Sequence, residues 1–381
     1  MIATAIFLLS AAFVLYVLAG YPLLLAALAK RAARPVRKSF QPRTVTVLLP
    51  VRNGEPWIRD KLRSILSLDY PRELIQVLVI SDGSTDRTEE IVREFSSEAI
   101  ELLVVPAGGK ALALNAGMAR ARGEILFFTD VRQPLAPDSL KNLVACFADP
   151  EVGAASGELI IREGGTQEEA HTSLYWRYEK WIRKRLSRID SVLGATGCIY
   201  AMRASLAAPL APGAILDDMN LPLGAFFRGY RVILDETAQA YDFPTSLKTE
   251  FRRKVRTLAG VYQTIGAFPA LLGPANRMWI HFVSHKLGRL LLPWALVAAA
   301  VSAFFLPAPY RGIAIGAQAA GYALALADPL VPERFPLKRL TSPARTFVVL
   351  MAAALCGVSI LFVPQRALWK ETRSGASAAG R

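Results

Sequence analysis

The chain is poor in metal-binding and redox side chains. Its three cysteines, Cys146, Cys198 and Cys356, have no metal-ligand spacing, and an odd number points to free thiols. Its three histidines, His171, His281 and His285, form no cluster with carboxylates or cysteines. The His281/His285 pair has helical spacing, and the expectation is that it lies at a membrane surface rather than on a metal. No G-x-G-x-x-G follows the first apolar strand, which argues against a dinucleotide oxidoreductase. There is no internal repeat, and no low-complexity segment before the small-residue tail Ser374–Arg381.

Charge is missing from long stretches. From Ile2 to Ala29 no side chain is charged, which is long enough for a membrane-spanning helix. A cleaved signal peptide would have a basic start and a shorter apolar core. Here Lys30, Arg31, Arg34, Arg37, Lys38 and Arg43 follow the run instead, which puts the N-terminus outside and the next domain in the cytoplasm. Leu290–Tyr310, Gly312–Ala327 and Thr346–Gln365 are also uncharged; the middle one reads as a tilted span or a re-entrant pair. Arg334, Lys338, Arg339 and Arg345 place the loop between the last two in the cytoplasm, while Arg366, Lys370 and Arg373 pull the tail the other way.

What the chain does have is apolar surface and positive charge: 53% hydrophobic residues and a net charge of +14. Much of that charge lies beside the membrane segments, where anionic headgroups attract Lys and Arg. Membrane lipids are therefore expected partners, and nucleic acid is not.

Between Arg43 and Gly266 short apolar strands alternate with amphipathic helices. "TVTVLLP", "IQVLVIS", "IELLVVP" and "EILFFTD" are the strands; "WIRDKLRSILSL", "TEEIVREF" and "KALALNAGMARA" are the helices. The alternation implies a doubly wound, mainly parallel sheet that binds ligands at its strand C-termini. Pro50 ends the first strand, Asn53-Gly54 suits a tight turn and Glu55 enters the next helix, which is also what a plain βα loop looks like. Asp86 and Glu89 have capping-box spacing. That leaves Asp82 at a strand end, where it can accept from a base or ribose. Lys110, at a glycine-flanked helix start, is either a phosphate binder or a solvated surface lysine. Asp130 ends the fourth strand, with Arg132 close behind it.

Together these blocks resemble family 2 glycosyltransferases of the GT-A fold, with terminal spans like those of the membrane-bound, polysaccharide-synthase-like members. "LLPVRNGEPWI", "VLVISDGSTDRTEEI", "GGKALALNAGMARARGEILFFTDV", "ILDDMNLPLGAFFRGYRVILDE" and "FRRKVRT" carry the resemblance. It implies an α/β GT-A nucleotide-diphospho-sugar transferase domain flanked by transmembrane helices. The expected organisation is a transmembrane helix at 1–29, a basic linker at 30–43 and a cytoplasmic transferase domain at 44–266. An interfacial segment at 267–289, about three transmembrane helices within 290–365 and a tail at 366–381 complete it. The localisation that follows is the cell (inner) membrane, multi-pass.

The resemblance also implies roles. Pro50, Arg52, Asn53, Glu55 and Asp82 match positions that bind the nucleoside of a sugar nucleotide, although one of the family's two acids before the glycine is Ser81 here. Lys110 matches a lysine near the diphosphate. Asp130 matches the first acid of the D-x-D motif, a ligand to Mg2+ or Mn2+; Arg132 replaces the second, and either contacts phosphate or sugar or points away. Hard cations need few protein ligands when phosphates and waters complete the octahedron. Asp218 matches the general base and Asp217 the acid before it, where an adjacent carboxylate raises proton affinity; a helix N-cap is the other use for either. Arg253 and Arg256 fall in the family's Q-x-x-R-W segment, of which only the arginine remains, and the cluster also reads as a basic face on the membrane. Trp176, Trp181, Gly194 and Thr196 are candidates for the acceptor wall; the tryptophans equally suit packing on the sheet or membrane. The expected reaction is inverting transfer from a cytosolic nucleotide-diphospho-sugar to a polysaccharide or lipid hydroxyl. The alternative is a catalytically silent, nucleotide-sensing membrane scaffold.

Overall fold

The computed structural model describes residues 1–161, 167–243, 247–332 and 334–363; the expected tail at 366–381 lies outside the described residues. The chain divides into two compact units. One consists of Arg31–Arg162 with Arg183–Phe243, the other of Met1–Lys30, Glu163–Ile182 and Pro244–Arg381.

The first unit is built on a seven-stranded sheet. Its strands are β1 (Val45–Val51), β2 (Ile75–Asp82), β3 (Ile100–Val105), β4 (Ile125–Thr129), β5 (Val152–Ile161), β6 (Ile199–Arg203) and β7 (Arg231–Asp242). Their order is β3-β2-β1-β4-β6-β5-β7. The β1–β2, β1–β4, β2–β3 and β5–β7 pairs are parallel; β6 is antiparallel to both β4 and β5. The first four strands follow the sequence expectation, and the antiparallel insertion of β6 is the departure from it.

The central strands are buried on both faces and mostly apolar, with polar residues such as Ser81, Asp82 and Thr129 at their C-terminal ends. Val47, Leu48, Leu49, Phe127 and Phe128 are all buried, each such side chain contributing about 2 kcal/mol of apolar transfer. The chain leaves β1 for β2 on one side and returns to β4 on the other, which opens a switch-point crevice at the C-terminal ends of these strands. Gly123 lets the start of β4 close onto β1, because a Cβ there would stand 2.5 Å from the Thr46 amide nitrogen.

Among the described residues of the second unit four helices are long and apolar enough to cross a membrane: Ile2–Arg31, Trp279–Ala303, Tyr310–Leu330 and Lys338–Leu361. The third is a single helix of 21 residues rather than a re-entrant pair. The second begins at Trp279, inside the stretch expected to be interfacial. Its polar residues are accommodated by internal partners. His281 Nδ1 lies 3.2 Å from the Tyr21 hydroxyl, and Glu179 is bonded to both His285 and Arg289. His281 and His285 are thus buried among protein partners. Asp328 accepts from Thr341 at 2.8 Å and pairs with Lys338 and Arg345, which fixes the loop before the last helix.

Candidate active site

At the C-terminal ends of β1 and β2 two turns are laced together. Asn53 adopts a positive φ of 52°, and its Oδ1 accepts from the Thr85 amide at 2.8 Å. The Gly54 amide donates to Thr88 Oγ1 at 2.8 Å, the Glu55 amide to Asp86 at 3.1 Å, and the Arg87 amide to the Glu55 carboxylate at 3.2 Å. Asn53 and Glu55 therefore spend their side chains on bracing the second turn. Asp86 bonds the Thr88 amide, whereas Glu89 takes Ser81 and Arg93, so the expected capping box does not form. Pro50 is the penultimate residue of β1, and Arg52 follows the strand exposed.

Asp82, the last residue of β2, is buried and accepts from the Gly108 amide at 2.6 Å and the Gly109 amide at 3.0 Å. Arg52 approaches it to 3.9 Å. The carboxylate thus fixes the loop from which the helix Lys110–Arg120 starts. Gly109 has a φ of 93°, a conformation that favours glycine.

That helix start aims Lys110 at the acids. Its ammonium lies 2.9 Å from Asp130 and 3.0 Å from Asp217. Burial works against the charged lysine, but the two carboxylates outweigh it and hold its pKa above the ordinary value. Burial pushes the Asp217 carboxyl up, against the pull of Lys110. The Tyr200 hydroxyl donates to the other oxygen of Asp217 at 3.4 Å, while its ring stacks on Phe128 at 4.5 Å.

Asp217 and Asp218 form the first turn of the helix Asp217–Phe227, whose N-cap is Leu216, so neither acid is spent as a cap. Asp218 is half-buried and faces the segment Gly194–Gly197: a Cβ on Gly197 would stand 2.9 Å from its Oδ2. The Ala195 amide donates to the Asp218 carbonyl at 2.6 Å. Arg183 holds the same segment by donating to Thr196 Oγ1 at 2.8 Å and Ser156 Oγ at 2.9 Å. Gly194 and Thr196 are therefore neighbours of Asp218 through this segment.

The turn after β4 carries Asp130 and Arg132. Asp130 is partly exposed, whereas Arg132 donates to Asp242, the last residue of β7, at 2.6 Å. Gln133 donates to the same carboxylate at 2.8 Å. From the opposite side the buried Lys61 donates to Thr129 Oγ1 at 2.6 Å and to the Gln133 carbonyl at 2.5 Å. Lys61, Asp242, Tyr200 and Arg183 were not expected from the sequence. Only Lys61 left a signal, as a cation on the apolar stripe Ile58, Leu62, Ile65 of the helix Glu55–Leu66.

Arg253, Arg256, Trp176 and Trp181 belong to the other unit. There Arg253 stands 3.8 Å from Glu250, and Lys254 sits over the Trp176 ring at 4.7 Å. Among the described residues no group of three or more His, Cys, Asp or Glu side chains is arranged to hold a metal ion. Asp130 offers one hard oxygen ligand, which fits an ion shared with a diphosphate and not a self-sufficient protein site.

A crevice at the switch point is where open α/β sheets bind their ligands, and here it holds Asp130, Asp217, Asp218 and Lys110. Two family models match the chain: Glycosyl transferase family 2 over residues 46–208 and Glycosyl transferase family group 2 over residues 133–360. The chain belongs to the family 2 glycosyltransferases. The probable glycosyltransferase YdaM of Bacillus subtilis (strain 168) is 26% identical over 254 residues, 62% of this chain and 60% of that protein. An N-acetylglucosaminyltransferase of Rhizobium meliloti (strain 1021) is 29% identical over 288 residues, 70% of this chain and 67% of that protein. The matched region thus spans 60% to 67% of these two relatives. Among solved structures, the mannosyltransferase PcManGT from Pyrobaculum calidifontis in complex with GDP-Man and Mn2+ is similar with a TM-score of 0.73 at 25% identity. The similarity covers 94% of this chain and 99% of that one, and the fold is GT-A.

Proposed function

We propose that the protein is a membrane-bound, inverting hexosyltransferase that moves a sugar from a cytosolic nucleotide-diphospho-sugar to a hydroxyl of a polysaccharide or lipid acceptor. The observation that carries this reading is the convergence at the strand ends. Lys110 lies 2.9 Å from Asp130 and 3.0 Å from Asp217, and Asp218 opens next to them towards the Gly194–Gly197 segment.

In this reading the donor's nucleoside lies along Pro50, Arg52 and Asp82, with Asn53 and Glu55 holding the two turns that receive it. Lys110 neutralises the diphosphate as negative charge builds on the leaving group. Asp130 would hold a divalent ion, Mg2+ or Mn2+, which when bound supplies further positive charge to the diphosphate oxygens. Arg132, paired with Asp242, shapes the turn and does not act as a second metal ligand. Asp218 takes the proton from the acceptor hydroxyl, which Gly194 and Thr196 admit. Attack from the face opposite the nucleotide inverts the anomeric carbon. Asp217, bonded to Lys110 and Tyr200, holds the lysine in place. Donor and acceptor chemistry are assigned to the sheet unit alone. The four apolar helices and the basic residues following Ile2–Arg31 support a multi-pass location in the inner membrane with this unit on the cytoplasmic side.

The test is release of nucleoside diphosphate by the purified full chain in detergent, supplied with Mn2+ or Mg2+. The donors tried include GDP-mannose and UDP-N-acetylglucosamine, because PcManGT was solved with the first and the Rhizobium relative is an N-acetylglucosaminyltransferase. Asp218→Asn is expected to lower turnover by about 10²- to 10⁴-fold with donor binding retained. Full turnover in that variant would remove Asp218 as base. If a donor raises the melting temperature with metal present but no nucleoside diphosphate is released, the scaffold alternative takes over.

A further inference from the structure

Lys61 is the least expected side chain in the sheet unit. It occupies a core-facing position of the helix Glu55–Leu66, in register with Ile58, Leu62 and Ile65, and is only 1% exposed. An apolar residue would be the ordinary occupant, since burying an ammonium without a carboxylate partner is costly. Burial pushes its pKa down to about 7, with Cys198 and Asp130 acting in the opposite direction.

Its two acceptors explain why a cation stands there. Thr129 Oγ1 and the Gln133 carbonyl are the two ends of the turn that carries Asp130 and Arg132. Thr129 in turn donates to the Cys198 carbonyl at 2.8 Å, which ties the end of β4 to the start of β6. On the far side of the turn Asp242 receives Arg132 and Gln133. The turn is therefore gripped from below through its ends and from β7 through its side chains, and Asp130 is the member left partly exposed.

We infer that Lys61 is a positioning residue for the divalent-ion site: its two hydrogen bonds hold the turn so that Asp130 presents its carboxylate to a metal shared with the donor diphosphate. The inference rests on the proposed function, in which Asp130 is the protein's metal ligand. Lys61 touches neither metal nor substrate and acts through Thr129 and Gln133. A single-carboxylate site depends on such support more than a paired one, because no second acid fixes the ion's place.

The test uses Lys61→Met, which keeps the length of the side chain and removes both donors. Mn2+ binding to the full chain in detergent, saturated with GDP or UDP, is read from the loss of the free Mn2+ electron paramagnetic resonance signal. Removal of an outer-shell partner typically weakens metal binding by about 10- to 100-fold, and a loss of that size is expected here. The apparent KM for Mn2+ should rise by a similar factor, with a smaller fall in kcat at saturating metal. Thr129→Val, which removes one acceptor at constant volume, should give a smaller loss in the same direction. It provides the reading if Lys61→Met does not fold. Asp130→Asn is measured alongside. If Asp130→Asn loses Mn2+ while folded Lys61→Met and Thr129→Val bind it within twofold of the native protein, the role given to Lys61 is overturned. If Asp130→Asn itself binds Mn2+ normally, the metal reading of Asp130 falls, and this inference falls with it.

Discussion

At the scale of single residues, several candidate side chains are already engaged in holding their neighbours. Asp82, Asn53 and Glu55 stood in the sequence as one group of candidates for nucleoside contacts. The structure distinguishes them: Asn53 and Glu55 lace two turns together, and Asp82 holds the glycine loop that launches Lys110. The sequence could not distinguish these uses, because a carboxylate at a strand end serves a backbone amide as readily as a ribose. Asp217 and Asp218 are legible as a pair with distinct expected roles, but their contacts are not: Leu216 takes the cap position, and Tyr200, seventeen residues upstream of Asp217, reaches that acid. Gly197 offers a direct check on the base proposed for the reaction. A methyl group there would stand 2.9 Å from Asp218 Oδ2, so Gly197→Ala should displace the carboxylate. We expect about a 10²-fold fall in kcat, measured by nucleoside diphosphate release, with little change in melting temperature.

At the scale of elements, β1 to β4 were readable because each is a short β-branched or aromatic run followed by a helix of clear period. β5 to β7 were not. β5 runs "VGAASGELII", with small residues and two glycines in place of a β-rich pattern, and its pairing with β7 joins segments far apart in sequence. The antiparallel direction of β6 follows from long-range pairing with β4 and β5, which no local pattern encodes. Where a strand approaches a neighbour closely, a single atom is decisive. A Cβ on Gly123 would meet backbone atoms of Val45 and Thr46 at 2.6 and 2.5 Å, and backbone gives way less easily than a side chain. Gly123→Ala should therefore destabilise the sheet unit by about 1–3 kcal/mol, read as a lowered melting temperature. Turnover should fall as well, because the shift would propagate along β4 to Asp130.

At the scale of the whole molecule, the number of apolar helices was legible from the uncharged runs, and their limits were not. The helix Trp279–Ala303 starts before its uncharged run because Glu179 accepts from His285 and Arg289 inside the same unit. That partnership joins residues more than a hundred positions apart. Burial pushes the Glu179 carboxyl up, but Arg289, His285 and Lys286 outweigh it and hold the pKa well below the usual glutamate value. A carboxylate with a lowered folded-state pKa stabilises the protein above the ordinary glutamate range, and that contribution disappears as pH falls. Glu179→Gln should therefore lower the melting temperature at neutral pH, by the equivalent of about 3 kcal/mol for a broken buried pair. The gap between variant and native protein should narrow once the buffer is acidified below about pH 4.

The two units are not consecutive in the chain. The polypeptide passes from one to the other near residues 30, 162, 182 and 243, so each unit is assembled from separate stretches. No single stop codon or protease cut can release the sheet unit whole, and a soluble fragment ending before the last apolar helices would still carry Glu163–Ile182, which belongs to the other unit. For protein engineering, the sheet unit is therefore not a cassette. A chimera that exchanges 31–243 between relatives also exchanges a piece of the partner unit, and a clean graft would need at least two junctions on either side of that insertion.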